Sequence, residues 1–219
     1  MLLWLSDNVE WLFSGLGIAI FGALITFIIR QVRNSVARLR PIILTNNDVE
    51  WNSFILPLIA RCHISEALFI EYSSANIRPV LDALLPIKCQ VRLLLRDPDA
   101  EQVTWRKRKI VSEVEKLLHD LSEPISGGKL QIKLYSCPGS IRLRHLADTL
   151  VATGCYTYDF RPPTKEKDQV WGHDNPMFTV RSKELSWGTM NDWGKTIFER
   201  MWEDARDIPK NAINKWHAD

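Results

Sequence analysis

Nineteen consecutive uncharged residues, 11–29 (WLFSGLGIAIFGALITFII), set the first constraint on this 219-residue chain. At ~1.5 Å per residue a helix of that length reaches roughly 28 Å, the hydrocarbon thickness of a bilayer. No other segment as long lacks charge. Three structures compete for it. A cleaved signal peptide needs a basic start and a small-residue cleavage site. Here the start carries Asp7 and Glu10 with no Lys or Arg, and no Ala-x-Ala precedes Arg30. A buried core helix normally shows a polar face, and only Ser14 and Thr26 interrupt these apolar and small residues. A membrane anchor fits both length and lack of charge, and is the expectation carried forward.

The flanks give an orientation. Arg30, Arg33, Arg38 and Arg40 follow the run with no acid among them, and only acids precede it. Basic flanks stay on the cytoplasmic side, so the C-terminal part is expected in the cytoplasm, with Trp4 and Trp11 at the outer interface. Cys62, Cys89, Cys137 and Cys155 then lie in a reducing compartment and need no disulfide. Gly15, Ala19, Gly22 and Thr26 recur at spacings of four, three and four, hence on one helix face, and such small-residue faces let helices approach in lipid. A monomeric anchor that happens to contain glycine is the plainer reading. A lumen lined by Ser14 or Thr26 requires an oligomer, because one helix cannot make a pore.

The expected organisation is a short outer N-terminus (1–10), the membrane helix (11–29), a basic linker helix (30–48) and a ligand-sensing domain (49–219). Roughly 180 residues follow the basic run, a common size for one domain. The whole chain carries +2, and removal of the two N-terminal acids leaves +4 over residues 30–219. That excess is too small for a protein that coats duplex DNA.

Hydrophobic spacing predicts alternating elements beyond residue 48. Residues 50–62 place Trp51, Phe54, Ile55, Leu58 and Ile59 at helical spacing, with Pro57 awkward inside the helix. Residues 66–71 (EALFIE) predict a buried strand ending at a polar turn, Tyr72 to Asn76. A helix over 77–85, a strand over 89–95 (CQVRLLL) and a long helix over 101–121 follow. Pro124 and Gly127-Gly128 break that helix before a strand over 130–135. Further strands are predicted over 141–144, 148–158 and 177–180, and a last helix over 191–206 with Trp193, Ile197, Phe198, Met201 and Trp202 on one side. The expected fold class is α/β, a sandwich built on a mixed sheet. Ligands in such sheets sit at the carboxyl ends of strands.

Several motifs carry little. Ser126-Gly127-Gly128-Lys129 lacks phosphate-loop spacing and precedes a strand. The cysteines have no paired spacing for zinc, and no Gly-x-Ser-x-Gly is present. Two basic features weigh more. Residues 105–109 (WRKRK) make either a solvated helix face or a phosphate-binding one. Arg142 and Arg144 point to one face of an extended strand, as do Tyr156 and Tyr158. Arginines and tyrosines lining one crevice suit phosphates and stacked bases, and a strand with one solvent face is the plain alternative.

The order EALFIEYSSAN, VRLLLRDP, basic helix, IKLY, then SIRLRHLADTLVATGCYTY resembles one half of a phospholipase D-like fold over roughly residues 65–205. Active members of that family carry His-x-Lys, an Asp five residues after the Lys, and Gly-Ser beyond. Aligning Asp148 and Gly154 puts Ile141 and Leu143 at the His and Lys positions, with Cys155 for the serine. The resemblance thus implies a catalytically dead member. HDNPMFTV and FERMWEDA are similar to degenerate phospholipase D-like sensor domains of bacterial regulators. EWLFSGLGIAIFG resembles the opening of bacterial anti-phage membrane effectors, most like those of the Hailong system. What that resemblance implies is a tetrameric inner-membrane channel held shut by a short DNA oligomer from a partner nucleotidyltransferase.

Expectations for the site follow. Arg96, Arg106, Arg108, Arg142 and Arg144 are expected to bind ligand phosphates. Tyr72, Ser73, Asn76, Tyr156 and His173 are expected to contact bases or sugars of single-stranded DNA or a cyclic nucleotide. Ser14, Gly15, Ala19, Gly22 and Thr26 are the expected pore or helix-packing positions. No catalytic residue, metal or cofactor is expected. The alternatives are a tethered nuclease or phospholipase with a shifted site using His145, His173 and Asp148, and a plain anchored scaffold.

Overall fold

The structure is a computed structural model. It describes residues 43–45, 47–72, 74–101, 104–137, 141–155, 176–182, 187–209 and 216. The expected anchor, its small-residue face and the basic linker up to residue 42 lie outside the described residues. No helix among the described residues is long and apolar enough to cross a membrane.

Eight strands form one mixed sheet in the order β1-β7-β6-β5-β2-β3-β4-β8. The strands are β1 Ile43–Thr45, β2 Glu66–Glu71, β3 Gln90–Arg96, β4 Leu130–Tyr135, β5 Ile141–Leu146, β6 Leu150–Cys155, β7 Met177–Arg181 and β8 Arg206–Asp207. The helices are α1 Asp48–Ile59, α2 Arg78–Leu84, α3 Thr104–Asp120, α4 Ser122–Ser126 and α5 Trp187–Asp204. β2, β3 and β4 are parallel, linked through α2 and α3, whereas β5, β6, β7, β1 and the short β8 add antiparallel. The expected α/β mixed sheet is therefore present.

Side-chain alternation sorts the sheet into two buried faces. Ala67, Phe69, Val91, Leu93, Leu95, Leu146 and Ala152 pack beneath α1, α2 and α3. Leu68, Ile70, Leu94, Leu143 and Val151 pack beneath Phe198 of α5. Gly194 is what lets α5 settle on that second face, since a Cβ there would lie 3.2 Å from Val151 Cγ1 and 3.4 Å from Leu143 Cδ1. Also on that face, Arg92 stacks 5.1 Å from the Phe198 ring and bonds Glu66 and Glu199. The guanidinium of Arg92 in turn holds the Glu199 carboxyl below its usual range.

α1 starts where Asn47 Oδ1 accepts the Glu50 amide at 2.8 Å, an N-cap. It buries Trp51, Ile55 and Ile59, each side chain worth about 2–3 kcal/mol of removed apolar surface. Pro57 sits inside the helix, which ends at Ile59.

Several boundaries differ from expectation for physical reasons. β1 and β8 are too short to show a period. β1 also means that the expected linker helix does not persist through residues 43–45. Pro98–Ala100 forms a 3-10 turn, so α3 begins at Thr104 rather than 101. Asp148, at φ 57°, makes the left-handed turn between β5 and β6 instead of starting the strand. Trp193 faces outward at 37% exposure, away from the buried side of α5.

Candidate functional site

The carboxyl ends of β2, β3 and β4, the start of β5 and the N-termini of α1 and α3 meet at one edge of the sheet. Six of the expected ligand residues fall in elements that reach this edge: Tyr72, Arg96, Arg106, Arg108, Arg142 and Arg144.

Arg142 and Arg144 do share one face, but that face is interior. They are 1% and 0% exposed. Glu71, on β2, and Asp48, in the first turn of α1, meet them there. Arg142 Nε donates to Glu71 Oε2 at 2.9 Å, and its Nη2 donates to Asp48 Oδ1. Arg144 Nε donates to Glu71 Oε1 at 2.5 Å and Nη2 to Asp48 Oδ1 at 2.7 Å. The Arg144 guanidinium also lies 4.2 Å from the Trp51 ring centre. Two cations and two anions thus sit together between sheet and α1, where separating them costs several kcal/mol. This corrects the expectation that both arginines line an open crevice. Hydrophobic spacing places Trp51 on the apolar side of its helix but does not name Glu71 or Asp48 as site residues. The signal was present in EALFIE, where Glu71 shares strand parity with Ala67 and Phe69 and so needs a cation inside.

Arg96 is likewise engaged within the protein. It donates to the carbonyls of Ser136 (2.8 Å), Cys137 (2.7 Å) and Ala100 (2.9 Å). It thereby ties the β3–α3 loop to the end of β4. Beside it, Arg206 holds the buried Asp97 through two bonds of 2.6 Å and reaches Asp99 at 2.7 Å. Tyr72 is buried and donates its hydroxyl to Glu101. Asn76 is half-buried, and its carbonyl accepts from Asn52 at 3.5 Å. Ser73, Tyr156 and His173 lie outside the described residues.

The first two turns of α3 present what the interior arginines do not. Trp105 is 39% exposed, and the Arg106 guanidinium lies 5.3 Å from its ring. Arg108 and Lys109 are exposed, and Lys107 stands 3.9 Å from Asp99. An accessible indole flanked by cations is chemically able to stack a base and neutralise phosphate.

The second face carries the positions aligned with the hydrolase motif. Leu143 is fully buried beside Ile70, Val151 and Phe198. His145 is 2% exposed, and its Nε2 is 2.8 Å from Asn191 Oδ1. Burial pushes its pKa down, which fits a neutral ring donating from Nε2. Asp148 lies two residues beyond β5, at the opposite end of that strand from Ile141. No group of three or more His, Cys, Asp or Glu suited to a metal occurs among the described residues.

No family model and no curated protein matches the chain. Among solved structures it is similar to a phospholipase D family member, Nuc from Salmonella typhimurium, at TM-score 0.43 and 11% identity over 76% of this chain and 96% of that one. It is also similar to NucT from Helicobacter pylori at TM-score 0.44 and 9% identity over 76% of this chain and 98% of that one. At these scores the fold rests on the chain's own strand order.

Proposed function

We propose that this chain is an oligomeric anti-phage membrane effector, a channel or pore former. Its phospholipase D-like domain has lost hydrolysis and binds an oligonucleotide or cyclic nucleotide. The supporting observation is the fate of the motif positions. Leu143, which the resemblance aligns with the family lysine, is a core residue under Phe198, and this supports a site that lacks that phosphate clamp. Ligand recognition then falls to the exposed start of α3, with Trp105 as stacking platform and Arg106, Arg108 and Lys109 as phosphate contacts. A ligand moves such an effector between shut and open states only by its differential affinity for them.

The test uses the full chain in non-ionic detergent. Its native mass reports oligomer size and retained ligand together. Titration with a labelled short single-stranded DNA and with a cyclic dinucleotide should give saturable binding, weakened at least tenfold in Trp105→Ala/Arg108→Glu. Binding that this double variant leaves unchanged sinks the site. Turnover of DNA or lipid that His145→Ala abolishes would favour the tethered-enzyme reading instead.

A further inference from the structure

A cavity of about 260 Å³ lies between the end of α1 and the end of α2, at the amino ends of β2 and β3. It is therefore at the sheet edge opposite the α3 surface. Its walls are apolar, from Leu56, Ile59 and Ala83, while Cys62, His63 and Lys88 stand around it. His63 and Lys88 are exposed, and neither is held in an ion pair among the described residues. An apolar slot with two nitrogen bases at its edge complements a molecule with an aliphatic body and one anionic end.

We propose that this cavity binds a small aliphatic carboxylate, chain inward against Leu56 and Ile59 and carboxylate between Lys88 and His63. At roughly 30 Å³ per heavy atom the space holds about eight or nine such atoms, the size of hexanoate. A ligand that small binds with Kd on the order of 1 mM. The half-buried Cys62 thiol lines the slot, so an occupant screens it from solvent.

The cysteines supply the assay. Cys137 and Cys155 are exposed and lie at the other sheet edge, and Cys89 is buried with its pKa pushed up to about 11. Iodoacetamide labelling of the full chain, followed by peptide mass spectrometry, reads each thiol separately. In about 10 mM hexanoate, labelling of Cys62 should slow about tenfold while Cys137 and Cys155 keep their rates. Hexan-1-ol, of equal length and no charge, should slow Cys62 less than about twofold. Ala83→Phe, which fills the slot, and Lys88→Gln, which removes the cation, should each abolish most of the hexanoate effect without changing labelling of Cys137. A Cys62 rate altered less than twofold by hexanoate overturns the proposal, as does equal protection by hexan-1-ol or equal slowing of all three accessible thiols.

Discussion

Glu71 and Arg144 face each other across adjacent strands with 2.5 Å between Oε1 and Nε, both essentially without solvent contact. Glu71 also accepts from Arg142, so one carboxylate neutralises parts of two guanidiniums. Glu71→Gln should therefore destabilise the domain by about 3–5 kcal/mol, because it strands buried cations rather than removing a pair. Trp51→Ala removes the ring beneath Arg144 and should cost about the same through cavity formation. Urea unfolding followed by tryptophan fluorescence measures the first, and circular dichroism the second.

Arg206 grips Asp97 by both carboxylate oxygens, and this raises the guanidinium pKa further. Arg206→Lys keeps the charge but loses the planar fork. Asp97 is 3% exposed, so the variant should lose about 1–3 kcal/mol, as expected when a buried acceptor goes short of a donor. A melting temperature equal to the parent's would show that the charge alone suffices.

His145 predicts a pH dependence. Burial lowers its folded pKa, and the nearby Glu66, Asp148 and Lys195 together with the Asn191 bond only modulate this. The unfolded imidazole takes up its proton near pH 6.5, before the folded one does. The contribution is thus fully present above ~6.5 and is lost as pH falls below it, by at most ~1.4 kcal/mol per pH unit. His145→Gln retains a donor for Asn191 and should flatten the stability profile between about pH 6.5 and 5. An unchanged slope in the variant assigns the acid sensitivity elsewhere.

Gly154 and Gly188 should respond in opposite ways to alanine. A Cβ at Gly154 would lie 2.9 Å from the Pro176 carbonyl oxygen, whereas at Gly188, near the start of α5, it would meet nothing within 4 Å. Gly154→Ala should lose about 1–3 kcal/mol, and Gly188→Ala should be neutral or gain up to ~1 kcal/mol. Paired thermal melts decide it.

The α3 surface predicts a salt signature. Each phosphate neutralised on a single strand contributes about 0.7 to the slope of log affinity against log salt. Arg108→Gln/Lys109→Gln should lower that slope by roughly 1.4. Arg96→Gln should leave the slope unchanged while loosening the loop, because its donors are engaged by the Ser136, Cys137 and Ala100 carbonyls. Fluorescence anisotropy over a salt series separates the two.

Much of this fold is legible in the residues. EALFIE and LQIKLY give β2 and β4 to the residue because each is a short apolar run bounded by turn chemistry. The alternation of Arg142 and Arg144 correctly gives a shared face. What alternation cannot give is which side of the sheet is covered. Here α1 lies over it, and its first-turn Asp48 converts a basic stripe into an internal ion cluster. That partnership spans 96 residues of sequence and leaves no local trace. Likewise Asp97 and Arg206 are 109 residues apart, joined only because β8 docks on β4.

β1 has a mechanical consequence. Its three residues pair with β7 and, after the Asn47 cap, lead straight to Asp48. Tension applied to the chain ahead of Ile43 would reach that short ribbon first, the helix cap second and the carboxylate that binds both arginines third. Asp48 therefore stands third in line, and only a pull that has already stripped β1 and the cap bears on its bonds to Arg142 and Arg144.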